Sequence, residues 1–194
     1  MSSEIPSFEI TKTAILFMDF QVGIVANYPG NDDVIQRAAS LLAKARATGI
    51  SAGFVRVGLE DSDYLTVSDR NRAFASIAST RRLPAGAPES QIISELEPKD
   101  GEIQVRKVRH GAMSTTDLHQ QLQERGIETV VLCGIATSGV VLSTVRDAAD
   151  KDYRVIVLKD LCIDPDPEVH RVLTEKVFPK QAWVMDSKEF SELF

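Results

Sequence analysis

Short apolar runs alternate with helical segments along this 194-residue chain, and this alternation most strongly limits the folds that the chain can adopt. Five runs are rich in valine, isoleucine and leucine, and a weaker sixth follows them: TAILFMDF, SAGFVRV, EIQVRK, TVVLCGI, YRVIVLKD and QAWVM. Each run is apolar on both faces, which is typical of a strand buried inside a parallel sheet. The runs therefore predict several parallel strands.

The segments between these runs have the periodicity of amphipathic helices. In NDDVIQRAASLLAKARATG, Asn31 is a suitable N-cap, apolar residues recur on one face, and Gly49 suits the C-terminal cap. STTDLHQQLQERG and DPDPEVHRVLTEKVF repeat this design, the second with Pro167 in its first turn. Strands and helices in alternation predict a Rossmann-like, three-layer α/β/α domain with right-handed crossovers.

The length suits one domain spanning residues 1–194. Residues 58–99 fit the alternation least well, because they are polar and broken by three prolines, although NRAFASIAS predicts a short helix within them. We expect this segment, the excursion, to pass over the ends of the strands and to line part of any site there.

Composition and charge exclude several functional classes. A formal net charge of −6, with acidic and basic residues interspersed, predicts no nucleic-acid partner, because such partners require a basic patch. No apolar run approaches the roughly 20 residues of a membrane span. The N-terminal MSSEIPSFEITK lacks the features of a secretory signal, so we expect a cytoplasmic protein without membrane attachment.

No cofactor or metal is predicted. Neither GxGxxG after the first run nor GxxxxGK[ST] occurs, which disfavours a nucleotide-binding or flavodoxin-like protein. The three histidines are dispersed, and Cys133 and Cys162 lack metal-ligand spacing, so we expect both cysteines to be reduced thiols.

Candidate site residues follow the predicted strands, because open parallel sheets bind ligands at the carboxyl ends of their strands. This rule selects Asp19 and Gln21, Arg56, Lys107, the turn 135–140 and residues 160–164. A single strand-end aspartate also serves to stabilise a loop, and a single strand-end lysine is usually solvated, so each is weak evidence alone.

The joint order of these features resembles the isochorismatase-like hydrolases of the cysteine hydrolase superfamily. An aspartate follows the first strand, a lysine with VRHGAMSTTDL follows the third, and GIATSGVV opens a helix after the fourth. The likeness extends from about residue 13 to residue 185 and includes ILFMDFQVGI, TVRDAADKDYRVIVLKD and DPDPEVH. It implies a six-stranded parallel sheet, a small-molecule substrate, a homodimer or homotetramer, and a site of aspartate, lysine and a nucleophilic cysteine.

Asp19 matches the aspartate of the family and Lys107 matches its lysine, but the nucleophile is missing. In the GxxTxxC turn of the family the cysteine comes six residues after the glycine, and counting from Gly134 reaches Val140. The resemblance also implies a cis peptide bond between Ile135 and Ala136, which would direct backbone N–H groups of Ala136 and Val140 toward an oxyanion. The predicted oxyanion or substrate cradle comprises Ile135, Ala136, Thr137, Ser138, Gly139 and Val140, and the candidates for lining the substrate are Gln21, Arg56 and Met113.

Four other residues are weaker substitutes for the nucleophile. We expect Ser138 to be the N-cap of the helix, Ser143 to pack one turn deeper, Cys133 to be an inert buried thiol, and Cys162 to lie on an exit loop. Covalent catalysis from residue 140 is excluded because valine has no nucleophilic atom.

Two functional hypotheses remain. The first is a hydrolase that cleaves a vinyl ether such as isochorismate, with Asp19 protonating the enol carbon and water capturing the oxocarbenium ion. Burial would keep the proton on Asp19 and Lys107 would oppose this, and the sequence leaves the balance open. The second is a catalytically silent relative that binds a small ligand or partner in the same cleft.

Overall fold

Parallel β-strands form the centre of the chain in a computed structural model that describes residues 7–194. Within this range they make one six-stranded sheet in the order β3-β2-β1-β4-β5-β6, with all neighbours parallel. The strands are β1 (Thr13–Met18), β2 (Ser51–Val57), β3 (Ile103–Lys107), β4 (Thr129–Ile135), β5 (Arg154–Ile163) and β6 (Trp183–Met185). The predicted Rossmann-like sheet is therefore confirmed.

Helices cover both faces of this sheet. They are α1 (Val22–Val25), α2 (Asp32–Thr48), α3 (Asp61–Thr66), α4 (Arg72–Ser79), α5 (Leu118–Glu124), α6 (Leu142–Ala149), α7 (Pro167–Val172) and α8 (Ser187–Ser191). The apolar faces of α2 and α8 pack on one side of the sheet, in a layer that contains Phe17 and Phe54. Helices α5 and α6, and the helical chain that continues beyond α7, pack on the other side with Leu16 and Val55.

The helix ends follow the sequence signals. Asn31 precedes α2 as its N-cap residue, and Gly49 ends the helix in the left-handed conformation with φ of 85°. The carboxylate of Asp166 accepts hydrogen bonds from the first N–H groups of α7, and Pro167 occupies the first turn. The predicted helix ends are confirmed in position. Asp166 caps α7 through its side chain, whereas the Asn31 side chain donates to the Tyr28 carbonyl at 3.0 Å and makes no capping hydrogen bond to α2.

The strand order reverses its direction between β1 and β4, which is where the topology of an open parallel sheet predicts the crevice for a ligand. Both strands are buried along their whole length, and Met18 at the end of β1 stands opposite Gly134 in β4. The residues that follow these two strands therefore lie at the same carboxyl edge of the sheet, on either side of the predicted crevice.

The excursion holds α3 and α4, and α4 confirms the helix predicted in NRAFASIAS. Across residues 7–194, none of the helices combines the length and apolar character that a membrane crossing requires. The prediction about a secretory signal, and the start of the predicted domain, involve residues 1–6, which lie outside the described residues.

Candidate active site

Asp19 and Lys107 form a buried ion pair at the crevice. Asp19 directly follows β1 and Lys107 ends β3, so the lysine side chain crosses the end of β2 to reach the carboxylate. Lys107 Nζ lies 2.9 Å from Asp19 Oδ2, and the two side chains are only 3% and 6% exposed. Nζ also donates a hydrogen bond to the carbonyl of Arg109 at 3.1 Å. The structure thus brings together the two residues on which the resemblance depended.

Burial dominates the protonation of Asp19. Desolvation raises the pKa of the Asp19 carboxyl above its usual value of 3.8, and the nearby Lys107 ammonium lowers it by less. The second carboxyl oxygen, Oδ1, is buried and has no hydrogen-bond partner among the described residues. An unpartnered buried oxygen is costlier when it is charged, so Oδ1 adds to the cost of ionising Asp19.

The turn after β4 is a compact cradle of backbone groups. The peptide bond between Ile135 and Ala136 is cis, as the resemblance implied. A π-helical turn then spans Thr137–Val141, in which the Ala136 carbonyl accepts hydrogen bonds from the N–H groups of Gly139 and Val141. None of these bonds uses the N–H groups of Ala136 and Val140, the two predicted oxyanion donors.

The prediction that Ser138 is the helix N-cap is wrong. The helical winding begins at Thr137, so Ala136 precedes it and Ser138 lies inside the first turn, exposed to solvent. The Asp164 carboxylate accepts the Ser138 N–H at 2.7 Å. An acceptor from a neighbouring loop thus satisfies the N–H group at this end of the helix, which a capping hydroxyl would otherwise have to satisfy.

No reactive thiol replaces the missing cysteine within residues 7–194. Val140 is 2% exposed and packs in the apolar layer beside α6. Burial raises the pKa of Cys133 well above its usual value and that of Cys162 to about 12, so both thiols stay protonated. Cys162 lies inside β5 rather than on an exit loop, because β5 continues to Ile163.

The three residues predicted to line the substrate have other contacts. The Gln21 amide donates to the carbonyls of Val57 and Ser90, both at 2.8 Å, and accepts the Val57 N–H at 2.7 Å. Arg56 donates to the carbonyl of Ala85 at 3.0 Å, and Met113 is buried in the apolar layer. Gln21 and Arg56 therefore hold the excursion against β2, and contact of these three residues with a substrate stays a prediction.

His110 lies beside the turn after β4, but it was not among the candidate site residues selected from the sequence. A methyl group placed on Gly139 would lie 3.9 Å from Nδ1 of His110, which follows Lys107 by three residues. The His110 ring meets Phe74 of α4 edge to face, with 5.1 Å between centroids, and the Arg109 guanidinium lies 5.3 Å from the centre of the same phenyl ring. The position of VRH directly after Lys107 was the available signal.

A second histidine contacts the cradle from α7. Nδ1 of His170 lies 2.9 Å from the hydroxyl of Thr137, whose side chain is buried. Burial lowers the pKa of His170, while the negative charge of Asp164 acts in the opposite direction. The described residues contain no group of three or more histidine, cysteine, aspartate or glutamate side chains placed to hold a metal ion.

Comparison with known proteins gives consistent matches. The isochorismatase domain model matches residues 13–189. The chain is 33% identical over 189 residues to the uncharacterized isochorismatase family protein YecD of Escherichia coli O157:H7, which covers 91% of this chain and 93% of that protein. It is 31% identical over 177 residues to the ureidoacrylate amidohydrolase RutB of Methylobacterium radiotolerans, covering 83% and 67% of the two chains. A solved isochorismatase family protein from Burkholderia thailandensis superposes with a TM-score of 0.83 at 28% identity, covering 98% of each chain.

Proposed function

Because the chain belongs to the isochorismatase family, we propose that it is a small-molecule hydrolase that cleaves a vinyl ether by acid catalysis, without a protein nucleophile. One observation carries this proposal. Asp19 is buried beside Lys107 at 2.9 Å, with its pKa raised, at a crevice where valine occupies position 140. Such a site retains a proton donor and lacks any group that forms a thioester.

The chemistry uses the two oxygens of Asp19 differently. Oδ2 accepts the hydrogen bond from Lys107, so the unpartnered Oδ1 is the oxygen that carries the transferable proton. Transfer of this proton to the enol carbon forms a new C–H bond and leaves an oxocarbenium ion. The Lys107 ammonium stabilises the Asp19 carboxylate as its charge develops, and the carboxylate in turn stabilises the cation. Water then adds to the cation, and the resulting hemiketal releases an alcohol and a ketone.

Amide hydrolysis, the activity in the name of RutB, has less support from this site. Covalent amide hydrolysis requires a nucleophile, and Val140 supplies none. The alternative function, a catalytically silent member that binds a small ligand in the same cleft, is favoured by Val140 itself, because a fold tolerates the loss of its catalytic group. We also propose that the chain assembles as a homodimer or homotetramer, as the resemblance implies.

Hydrolysis of isochorismate, followed through the release of pyruvate, tests the proposal. We expect turnover by the purified protein and a loss of kcat of about 100-fold or more for Asp19→Asn, because the proton donor is removed. Lys107→Ala should also lower kcat. Asp33→Asn is the matched control, since Asp33 is an exposed carboxylate on α2 that pairs with Arg37.

Two results would contradict the assignment. Unchanged turnover in Asp19→Asn and Lys107→Ala would show that these residues do not carry the reaction. Absence of turnover with isochorismate and with a panel of amides and carbamoyl compounds, together with a rise in Tm on addition of one of them, would support the silent alternative.

A further inference from the structure

In a vinyl-ether hydrolase without a protein nucleophile, the water that captures the oxocarbenium ion passes a proton to an acceptor as its oxygen forms the new C–O bond. Lys107 is a donor. Asp19 is a carboxylate at that moment, stabilises the cation and accepts the hydroxyl proton of the hemiketal in a later step, which leaves the first proton of the water for a second acceptor. We propose that His110 is the catalytic base that accepts the proton of this water. The inference rests on the proposed function and assigns a residue that the sequence motifs did not select.

His110 lies beside the turn that follows β4. Its Nδ1 would stand 3.9 Å from a methyl group on Gly139, the residue directly before Val140. The ring therefore lies beside the turn at which a cysteine would attack in relatives that keep the nucleophile. Lys107 Nζ donates a hydrogen bond to the Arg109 carbonyl at 3.1 Å. This bond attaches the backbone just before His110 to the Asp19–Lys107 pair.

The His110 ring packs against Phe74 on one side and is exposed to solvent elsewhere. Phe74, which is 3% exposed, contacts the ring with an interplanar angle of 79°. The Phe74 N–H in turn donates to the Asn71 side chain at 3.0 Å, which anchors this part of α4. His110 is nevertheless exposed to solvent, so water reaches the ring in the free protein. A base that exchanges protons with water needs such access.

Burial and the charge of Lys107 both favour the neutral imidazole of His110. Desolvation lowers the pKa of His110 below its usual value of 6.5, and the positive charge of Lys107 lowers it further. Other charged groups near this part of the chain include Arg109, whose charge acts on Asp63 of α3, and Asp147 on α6, whose Oδ2 would lie 3.1 Å from a methyl group on Gly111. A neutral imidazole at neutral pH has a free lone pair and accepts a proton.

Asp19 and His110 each end one turnover in the protonation state in which they began it. Asp19 gives its proton to the enol carbon, and the water oxygen forms a C–O bond to the cationic carbon as its proton passes to His110. The His110 imidazolium then protonates the departing ether oxygen while the hemiketal C–O bond breaks. The remaining hydroxyl proton of the hemiketal returns to Asp19 as the ketone forms. Vinyl ether and water become ketone and alcohol, and both side chains regain their starting states.

The test is the pH dependence of kcat/KM with isochorismate for the wild type and for His110→Gln. We expect wild-type activity to fall on the acid side as His110 becomes protonated. His110→Gln should lower kcat by about 100-fold, change KM less, and lack this acid limb. His119→Gln is the matched control, because His119 lies on α5 and its Nδ1 contacts the Tyr153 hydroxyl at 2.9 Å. Its pH profile should match the wild type.

Two further measurements separate catalysis from a structural role. Free imidazole should restore part of the kcat of His110→Ala, since the exposed site admits it. The pKa of the His110 ring, measured by NMR in the wild type, should coincide with the acid limb, and this result does not depend on the folding of any variant. A mismatch of these two pKa values, or a lower kcat with an unchanged pH profile and no rescue, would overturn the role of His110 alone. No turnover by the wild type would overturn the proposed function and this inference with it.

Discussion

Asp19 occupies an environment that is unfavourable for an ionised side chain. Its backbone adopts the left-handed conformation with φ of 59°, which costs a non-glycine residue about 1 kcal/mol, and its side chain is buried with one oxygen unpartnered. Such costs persist where function requires the geometry. The position of Asp19 at the end of an apolar run was predictable from the sequence, whereas the dominance of burial over Lys107 required the packed structure.

The raised pKa of Asp19 sets the sign of a pH effect on stability. The folded state keeps the proton to higher pH than the unfolded chain, so the stabilising contribution is full below 3.8 and is lost as pH rises through the folded-state pKa. The unfolding free energy of the wild type minus that of Asp19→Asn should therefore decrease with rising pH, as measured by urea denaturation. For Asp33, whose pKa Arg37 lowers, the corresponding difference should increase with pH. An increase for Asp19 would show that Lys107 outweighs burial.

Residue positions after strands were predictable, but the direction of each side chain was not. Gln21 follows β1 as closely as Asp19 does, yet its amide points to the backbone of β2 and of the excursion. His110 was missed because its neighbours, Phe74 and Gly139, come from elements far apart in the sequence. Only the tertiary structure brings them together.

At the scale of elements, the close approach of β1 and β4 brings the turn after β4 to the same sheet edge as Asp19. Gly134 makes this approach possible, because a methyl group at its Cα would lie 2.4 Å from the carbonyl oxygen of Met18. Met18 directly precedes Asp19, so the same contact fixes the distance between the acid and the turn. Strand bounds were predicted closely because apolar runs end at the sheet edge, while the N-cap of the helix after β4 was misplaced at Ser138.

Gly134→Ala should destabilise the fold by about 1–3 kcal/mol or more, because two backbones must separate to admit the methyl group. It should also lower kcat, since the cradle moves away from Asp19. Urea denaturation and turnover of isochorismate measure the two effects. Gly86→Ala is the control, because nothing lies within 4 Å of the added methyl group. Equal stability of the two variants would contradict the close contact.

At the scale of the whole molecule, one sheet separates two apolar layers, and each layer contains one cysteine. Cys133 faces the layer of α2 and α8, and Cys162 faces the layer of α5 and α6. The alternation of runs predicted parallel strands covered on both faces. The order of the strands was beyond the sequence, because pairing joins segments far apart in the chain.

The two thiols report whether the layers unfold together. Both are buried, and their raised pKa values leave almost no thiolate at neutral pH, so iodoacetamide should label neither in the native state. Cys133 and Cys162 should become labelled at one common rate that follows global unfolding in urea, as measured by mass spectrometry. Faster labelling of either cysteine would show that its layer opens independently.

The three hydrogen bonds of the Gln21 amide attach the excursion to the sheet. They join the end of β2 to Ser90, which lies in the later part of the excursion, before β3. The loops and short helices between these two points form one insertion that Gln21 anchors at both ends. Because we predict that the excursion lines part of the site, we expect that exchanging this segment for that of another family member, with Gln21 and the sheet kept, changes the substrate preference.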